Sequence, residues 1–124
     1  MKRYSEEHQW VEVRGGKARV GITAYAAEEL GDISFVELPD VGLVLAQGEP
    51  LCVVESVKAA SDVFAPVGGT VSAVNERLED EPELVSASPE KEGWICELNE
   101  LDEADLENLM DEIEYEEFLG TDPE

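Results

Sequence analysis

The chain has 124 residues, enough for one domain with a modest core. Its 31 acidic residues against 8 basic ones give a formal net charge of -23, a field that repels nucleic acid and anionic membranes and excludes both as partners. Two cysteines without C-x-x-C spacing and a single histidine argue against a metal centre or Cys–His catalysis, and leave buried structural thiols as the reading of Cys52 and Cys96.

The first element is a hairpin. Trp10–Arg14 and Lys17–Ile22 alternate on either side of Gly15-Gly16, a two-residue turn that sets Glu12 opposite Arg19 and Val11 opposite Val20. Thr23 then reads as the N-cap of a short helix, Ala24 to Leu30, stopped by Gly31. A strand follows over Asp32–Leu38, closed by the turn Pro39-Asp40-Val41-Gly42, and Leu43–Leu45 leads on to Gly48.

Pro50-Leu51-Cys52-Val53-Val54 is an apolar, β-branched run and reads as a buried strand. A second short run, Asp62–Ala65, is stopped by Pro66 and Gly68-Gly69. The octet Glu55-Ser56-Val57-Lys58-Ala59-Ala60-Ser61-Asp62 must therefore turn the chain and put Lys58 at or near a hairpin tip. A lysine at a tip is ordinarily just solvated. This one is the only Lys between Lys17 and Lys91, and small or apolar neighbours stand where a solvated turn favours Asn, Gly or Asp.

Beyond the hairpin, Gly69–Asn75 alternates as a strand, the charged stretch from Glu76 to Glu92 with Pro82 and Pro89 reads mostly as loop, and Trp94–Leu98 reads as the last strand. Asp102 is a fitting N-cap, with Leu101 and Leu106 placed as a hydrophobic staple. Leu106, Leu109, Met110 and Ile113 keep helical spacing, and Tyr115, Phe118 and Leu119 repeat it out of phase. The spacing predicts two short helices with a break near Asp111, docking an apolar stripe on the sheets. Many short strands with glycine and proline turns make an all-β sandwich or barrel.

The G-x-G-x-x-G, Walker, G-x-S-x-G and H-E-x-x-H signatures are all missing, so a binding or carrier module fits better than an enzyme. His8, beside Trp10 in sequence, reads as a packing or hydrogen-bonding residue. No apolar run approaches the length of about 20 residues that spans a bilayer. Met1-Lys2-Arg3 opens no secretory signal, and the simplest location is the cytoplasm. Acidic residues are spread from Glu6 and Glu7 to Glu116 and Glu117, a pattern that speaks of solvent more than of a site and predicts a salt-rich, halophilic cytoplasm.

The octet resembles the lipoyl-lysine motif of the glycine cleavage H-protein family. The resemblance covers nearly the whole chain: His8-Gln9-Trp10, Val20-Gly21-Ile22-Thr23, Leu30-Gly31-Asp32, Val36–Gly42, Ala65–Gly69, Pro82–Val85 and Gly93-Trp94-Ile95 fall in family order and spacing. It implies a mainly β fold, a lipoyl-domain-like barrel-sandwich hybrid of two small antiparallel sheets in a single domain, with the helix near 24–30 and a C-terminal helical extension over about 102–119. It further implies lipoate on Lys58, ligase recognition through Glu55 and Gly69, and docking of the loaded arm at the position of Gln9, where Asp62 or the neighbouring Glu7 is the carboxylate placed to compensate for the neutral amide.

The chain would be a monomeric carrier in glycine catabolism and one-carbon metabolism, not an enzyme. Its partners would be a glycine decarboxylase, an aminomethyltransferase, a dihydrolipoamide dehydrogenase and a lipoate ligase or lipoyl transferase. A role as lipoate or octanoate donor, or as an unmodified H-like interaction protein, stands beside that reading. A biotin carrier does not, because Val57 and Ala59 flank the lysine where that class has Met. The chain departs from the family in two places. Gln9 stands where the family usually has Glu, and a neutral amide offers no charge to an ammonium. Pro89-Glu90-Lys91-Glu92 replaces the usual Pro-Tyr before Gly93-Trp94, in a loop placed to touch partner enzymes.

Overall fold

Gly15 and Gly16 both take left-handed backbone angles, φ 56° and 79°, as a two-residue turn between twisted strands requires. The hairpin they close pairs β2 (Gln9–Arg14) with β3 (Lys17–Ile22) in the expected register, Val11 opposite Val20 and Glu12 opposite Arg19. In this computed structural model, which describes residues 2–120, a further strand β1 (Lys2–Tyr4) extends the hairpin by pairing with β2. That strand is too short and polar to show in the sequence pattern. Helix α1 (Ala24–Leu30) follows β3, its cap Thr23 accepting from Ala26 N at 3.3 Å, and Gly31 ends it.

The next strands are β4 (Ile33–Glu37), β5 (Val44–Leu45), β6 (Pro50–Ser56), β7 (Ala60–Phe64), β8 (Gly69–Val74) and β9 (Cys96–Asn99). They form two antiparallel sheets, a six-stranded one in the order β1-β2-β3-β9-β8-β5 and a three-stranded one in the order β4-β6-β7. Neither closes into a barrel among the described residues. The inner faces meet in one core that includes Val11, Val20, Val36, Val54, Val63, Val71 and Leu98. A separate aromatic cluster of Tyr4, Trp10 and Tyr115 lies beneath the C-terminal helix.

Three expectations are refined. The 76–92 stretch is mostly turn and loop, as expected, but it carries two single-turn helices, α2 (Arg77–Asp80) and α3 (Leu84–Ala87), which Leu78 and Val85 anchor in the core. The last strand begins at Cys96 and runs to Asn99, while Ile95 reaches Val20 O from outside it at 2.7 Å. The segment after Asp102 is a 3-10 helix (Glu103–Asn108), and Asp102 makes no side-chain cap. Asp105 turns instead to the neighbouring loop, accepting from Gly68 N at 2.9 Å.

The break near Asp111 is present and has a cause. Asp111 Oδ1 accepts from Glu114 N at 2.8 Å and Glu114 Oε1 from Asp111 N at 3.0 Å, a reciprocal cap that starts α4 (Glu112–Gly120). Ile113 points to solvent, so the apolar stripe stops short of it and Tyr115 takes the buried place. Among the described residues no helix is long and apolar enough to cross a membrane.

Candidate functional site: a locked hairpin beside an acidic cleft

The β6–β7 hairpin pairs Val53 with Asp62, Val54 with Ser61 and Glu55 with Ala60, leaving Ser56–Ala59 to turn the chain. Ser56 holds that turn. Its amide donates to Ala59 O at 2.8 Å, and its hydroxyl oxygen accepts from Lys58 N and Ala59 N, each at 3.1 Å. Lys58 is thus carried on a constrained loop with its side chain exposed. The only signal for Ser56 in the sequence was a serine entering a turn.

The lysine stem runs back toward the end of α1: a side chain built on Gly31 would come within 3.5 Å of Lys58 Cε and 3.9 Å of its Nζ. From the tip, β7 leads down one wall of a cleft of about 310 Å³. Ser61, Asp62 and Val63 line that wall; Ile22, Tyr25, Ala26, Glu29 and Leu30 line the α1 side; Glu7, His8 and Gln9 close the end. The structure therefore brings Glu7, Gln9 and Asp62 together and adds Glu29, which nothing local in the sequence singled out. Its rim is acidic and its floor, with Ile22, Leu30 and Val63, is apolar.

Gln9 is only 2% exposed and its amide is engaged at both ends. Oε1 accepts the Ser5 hydroxyl at 2.7 Å, and Nε2 donates to Glu7 O at 3.1 Å. The side chain braces the turn that presents Glu7, whose carboxylate is exposed. Gly69 lies elsewhere, buried in the larger sheet opposite Leu45, where a Cβ would stand 2.8 Å from Asn99 O. Glu55 is exposed on β6, three residues before the lysine.

Two networks hold the α1 wall. His8, at φ 69°, places Nδ1 2.8 Å from Tyr115 Oη, which lies 2.8 Å from the capping Thr23 Oγ1; the His8 ring packs on Tyr25 at 4.6 Å. Burial raises the Tyr115 pKa above its ordinary value. On the other side, Glu90 accepts from Ala24 N with one oxygen and pairs with Lys2 Nζ with the other, both at 2.8 Å. Burial works to lower the Lys2 pKa, but Glu90, with Tyr4 and Glu12 behind it, acts the other way and the net shift is upward. Trp10 Nε1 donates to Pro89 O at 2.9 Å, so the Pro89-Glu90 part of this divergent loop packs against the sheet. Cys52 and Cys96 are buried, as expected. Burial pushes the Cys52 thiol up to about 12 and the Cys96 thiol up as well, so neither is a ready nucleophile.

A two-sheet β-sandwich that offers one lysine on a braced hairpin, next to a groove leading away from it, defines a small carrier domain. The family model for the glycine cleavage H-protein matches residues 2–122. A glycine cleavage system H protein of Caulobacter vibrioides is 56% identical over 119 residues, 96% of this chain and 98% of the relative. A probable one of Haloarcula marismortui is 53% identical over 113 residues, 91% of this chain and 89% of the relative. The crystal structure of such a protein from Mycobacterium marinum superposes with a TM-score of 0.86 at 34% identity, covering 96% of each chain. The chain belongs to the glycine cleavage H-protein family.

Proposed function

We propose that Lys58 carries lipoate as an amide and that the chain, a lipoyl carrier of the glycine cleavage system and not a catalyst, shuttles the aminomethyl group of glycine from the glycine decarboxylase to the aminomethyltransferase, with a dihydrolipoamide dehydrogenase resetting the arm. The observation that carries this reading is the exposed Lys58 on a turn braced by Ser56, at the head of a cleft that begins at β7. When bound, lipoate supplies a dithiolane that takes up a one-carbon amine and an electron pair at the end of a long flexible arm.

The residues present suit such a group. The turn fixes where the arm starts, which raises the effective concentration of its far end near any docked active site. Ile22, Leu30 and Val63 offer apolar surface to a hydrocarbon chain. Glu7, Glu29 and Asp62 supply carboxylates to an ammonium, a role that Gln9, neutral and engaged with Ser5 and Glu7, does not fill. Gln9 acts on the cleft by holding the Glu7 turn.

The test is the intact mass of the protein from its native host, followed by glycine-dependent carbon dioxide release with the purified partner enzymes. A lipoyl-sized addition lost in Lys58→Arg, together with release that needs Lys58, is the expected result. An unmodified wild-type chain overturns the reading. The excess of 31 acidic over 8 basic residues supports a second proposal, that the surface is adapted to a concentrated-salt cytoplasm.

A further inference from the structure

We infer that Glu90 and Lys2 form a positioning brace for the loaded arm: they hold the N-terminus of α1, and through it the cleft wall that carries Tyr25, Ala26 and Glu29. The inference rests on the reading of Lys58 as the lipoylated residue and of the cleft as the dock of its arm.

Helix α1 is poorly made to stand alone. It has seven residues, too few to hold by themselves in water, and of these Ala27 is the buried one. Its charges also oppose its dipole. The first turn has no acidic residue and the last turn no basic one, while Glu28 and Glu29 stand in that last turn, where the carbonyl ends are partly negative. Glu29 lines the cleft, so the carboxylate that suits an ammonium there is one that the helix itself resists. Glu90 supplies from outside what the first turn lacks. Its Oε2 accepts from Ala24 N at 2.8 Å, a charge-assisted bond to a backbone donor that the helix cannot satisfy internally.

Lys2 keeps Glu90 in that place. Its Nζ meets Oε1 at 2.8 Å and lies 5.0 Å from the centre of the Trp10 ring and 5.7 Å from that of Tyr4. With side chains 31% and 26% exposed, the pair is screened less than an open surface pair. Beyond the other end of α1 lies a separate tie, where Ser86 Oγ accepts from Ile33 N at 2.8 Å and donates to Gly31 O at 3.2 Å. Loss of Glu90 therefore frees the first turn and leaves the far end anchored, which loosens the wall without unfolding the domain.

The experiment has two parts, on Glu90→Ala, Glu90→Gln and Lys2→Met, each assayed well below its melting temperature. Amide exchange in the first turn of α1 is followed in the bare protein. In the lipoylated protein, the reduced arm is loaded by glycine decarboxylase with glycine, and the thiol left free is alkylated with iodoacetamide, beside the same protein reduced but not loaded. Cys52 and Cys96 are buried and stay silent. Wild type should label more slowly loaded than unloaded. Glu90→Ala should quicken both the exchange and the labelling of the loaded arm about tenfold, with the unloaded arm unchanged. Glu90→Gln keeps an acceptor for Ala24 N and Lys2→Met keeps the stem over the rings, so each should give about threefold. Wild-type exchange in Glu90→Ala overturns the brace. Faster exchange with unchanged labelling of the loaded arm, or equal acceleration of both arms, overturns its part in docking. If wild type labels alike loaded and unloaded, the reading of the cleft as the dock falls first and takes the inference with it. A wild type that gains no lipoyl mass fails earlier still, at Lys58.

Discussion

Tyr115 Oη lies 2.8 Å from Thr23 Oγ1 and so ties the last helix to the cap of the first. The hydroxyl also reaches His8 Nδ1 at 2.8 Å, and the ring stacks on Tyr4 at 4.7 Å. Tyr115→Phe keeps the stack and deletes both hydroxyl contacts, leaving the fully buried Thr23 with a poorer set of partners. The expected loss is about 1–3 kcal/mol, seen as a lower denaturant midpoint with an unchanged slope. Amide exchange in the first turn of α1 should quicken in the same variant. An unmoved midpoint would show that the contact contributes nothing.

Gln9 makes a second prediction, because Ser5 and Glu7 each depend on one end of its amide. Gln9→Leu fits the space and satisfies neither, so it should destabilise by about 1–3 kcal/mol. Gln9→Glu keeps an acceptor for the Ser5 hydroxyl but sets a carboxylate oxygen against the Glu7 carbonyl in a site 2% exposed. Burial then raises the new carboxyl pKa in the folded state, and the folded chain holds its proton longer than the unfolded one. The loss is therefore absent below the ordinary carboxyl range and grows as pH rises through the raised value. Melting curves of wild type and both variants between pH 4 and 8 check the order and its sign.

These two sites mark where sequence reading stops. The β2–β3 register, the Thr23 cap, the Gly31 stop and the Lys58 tip all rest on neighbours close in sequence, where alternation, turn chemistry and capping act directly. The cleft is legible only in part. Gln9 is marked by the family resemblance, and Glu7 and Asp62 by the charge that Gln9 lacks, while Glu29 joins them across the cleft between α1 and β7, a relation no local pattern encodes. Glu90 meets Lys2 and Ala24 across 88 and 66 positions, and nothing around Pro89 announces either bond. The two single-turn helices between Arg77 and Ala87 are hidden by their shortness, since one turn with one buried residue apiece shows no helical period.

Gly69 separates recognition from packing. A Cβ there stands 2.8 Å from Asn99 O and 3.3 Å from Leu101 Cδ2, and the first of these is strand backbone that has little room to yield. Gly69→Ala should lower stability by about 1–3 kcal/mol through overpacking at the β8–β9 pair. A variant that melts like wild type but is acylated more slowly would reverse this, and would make Gly69 a recognition residue as the family resemblance implies.

On the alkaline side, every resolved shift acts in one direction. Burial raises the Tyr4, Tyr115, Cys52 and Cys96 pKa values, the Cys52 thiol from 9.0 to about 12. The folded chain keeps protons that the unfolded chain gives up, so this stability is fully present below the unfolded value of each group and is lost as pH rises through the folded one. Melting temperature should hold from pH 7 to 9 and then fall steadily toward pH 12. Thiol reagents at pH 8 should modify neither Cys52 nor Cys96 until denaturant is added, and fast labelling of the native chain would contradict their placement.

The acidic surface yields the last prediction. Carboxylates spread from Glu6 to Glu117 repel one another in the compact state, and ion pairs such as Lys2–Glu90 and Arg19–Glu97 engage few of them. Dilute buffer leaves that repulsion in force, whereas the screening length shrinks to about 3 Å at 1 M salt, shorter than most separations between surface charges. Melting temperature should therefore climb through a KCl series. Relief of about 2 kcal/mol would appear as a rise of about 5–10 °C in a chain of this size. Sucrose, which stabilises by exclusion without screening, serves as the control, and the rise in KCl should exceed its effect. Equal stability in dilute buffer and in molar KCl would mean that the charges are already too far apart to matter, and would remove the case for adaptation to salt.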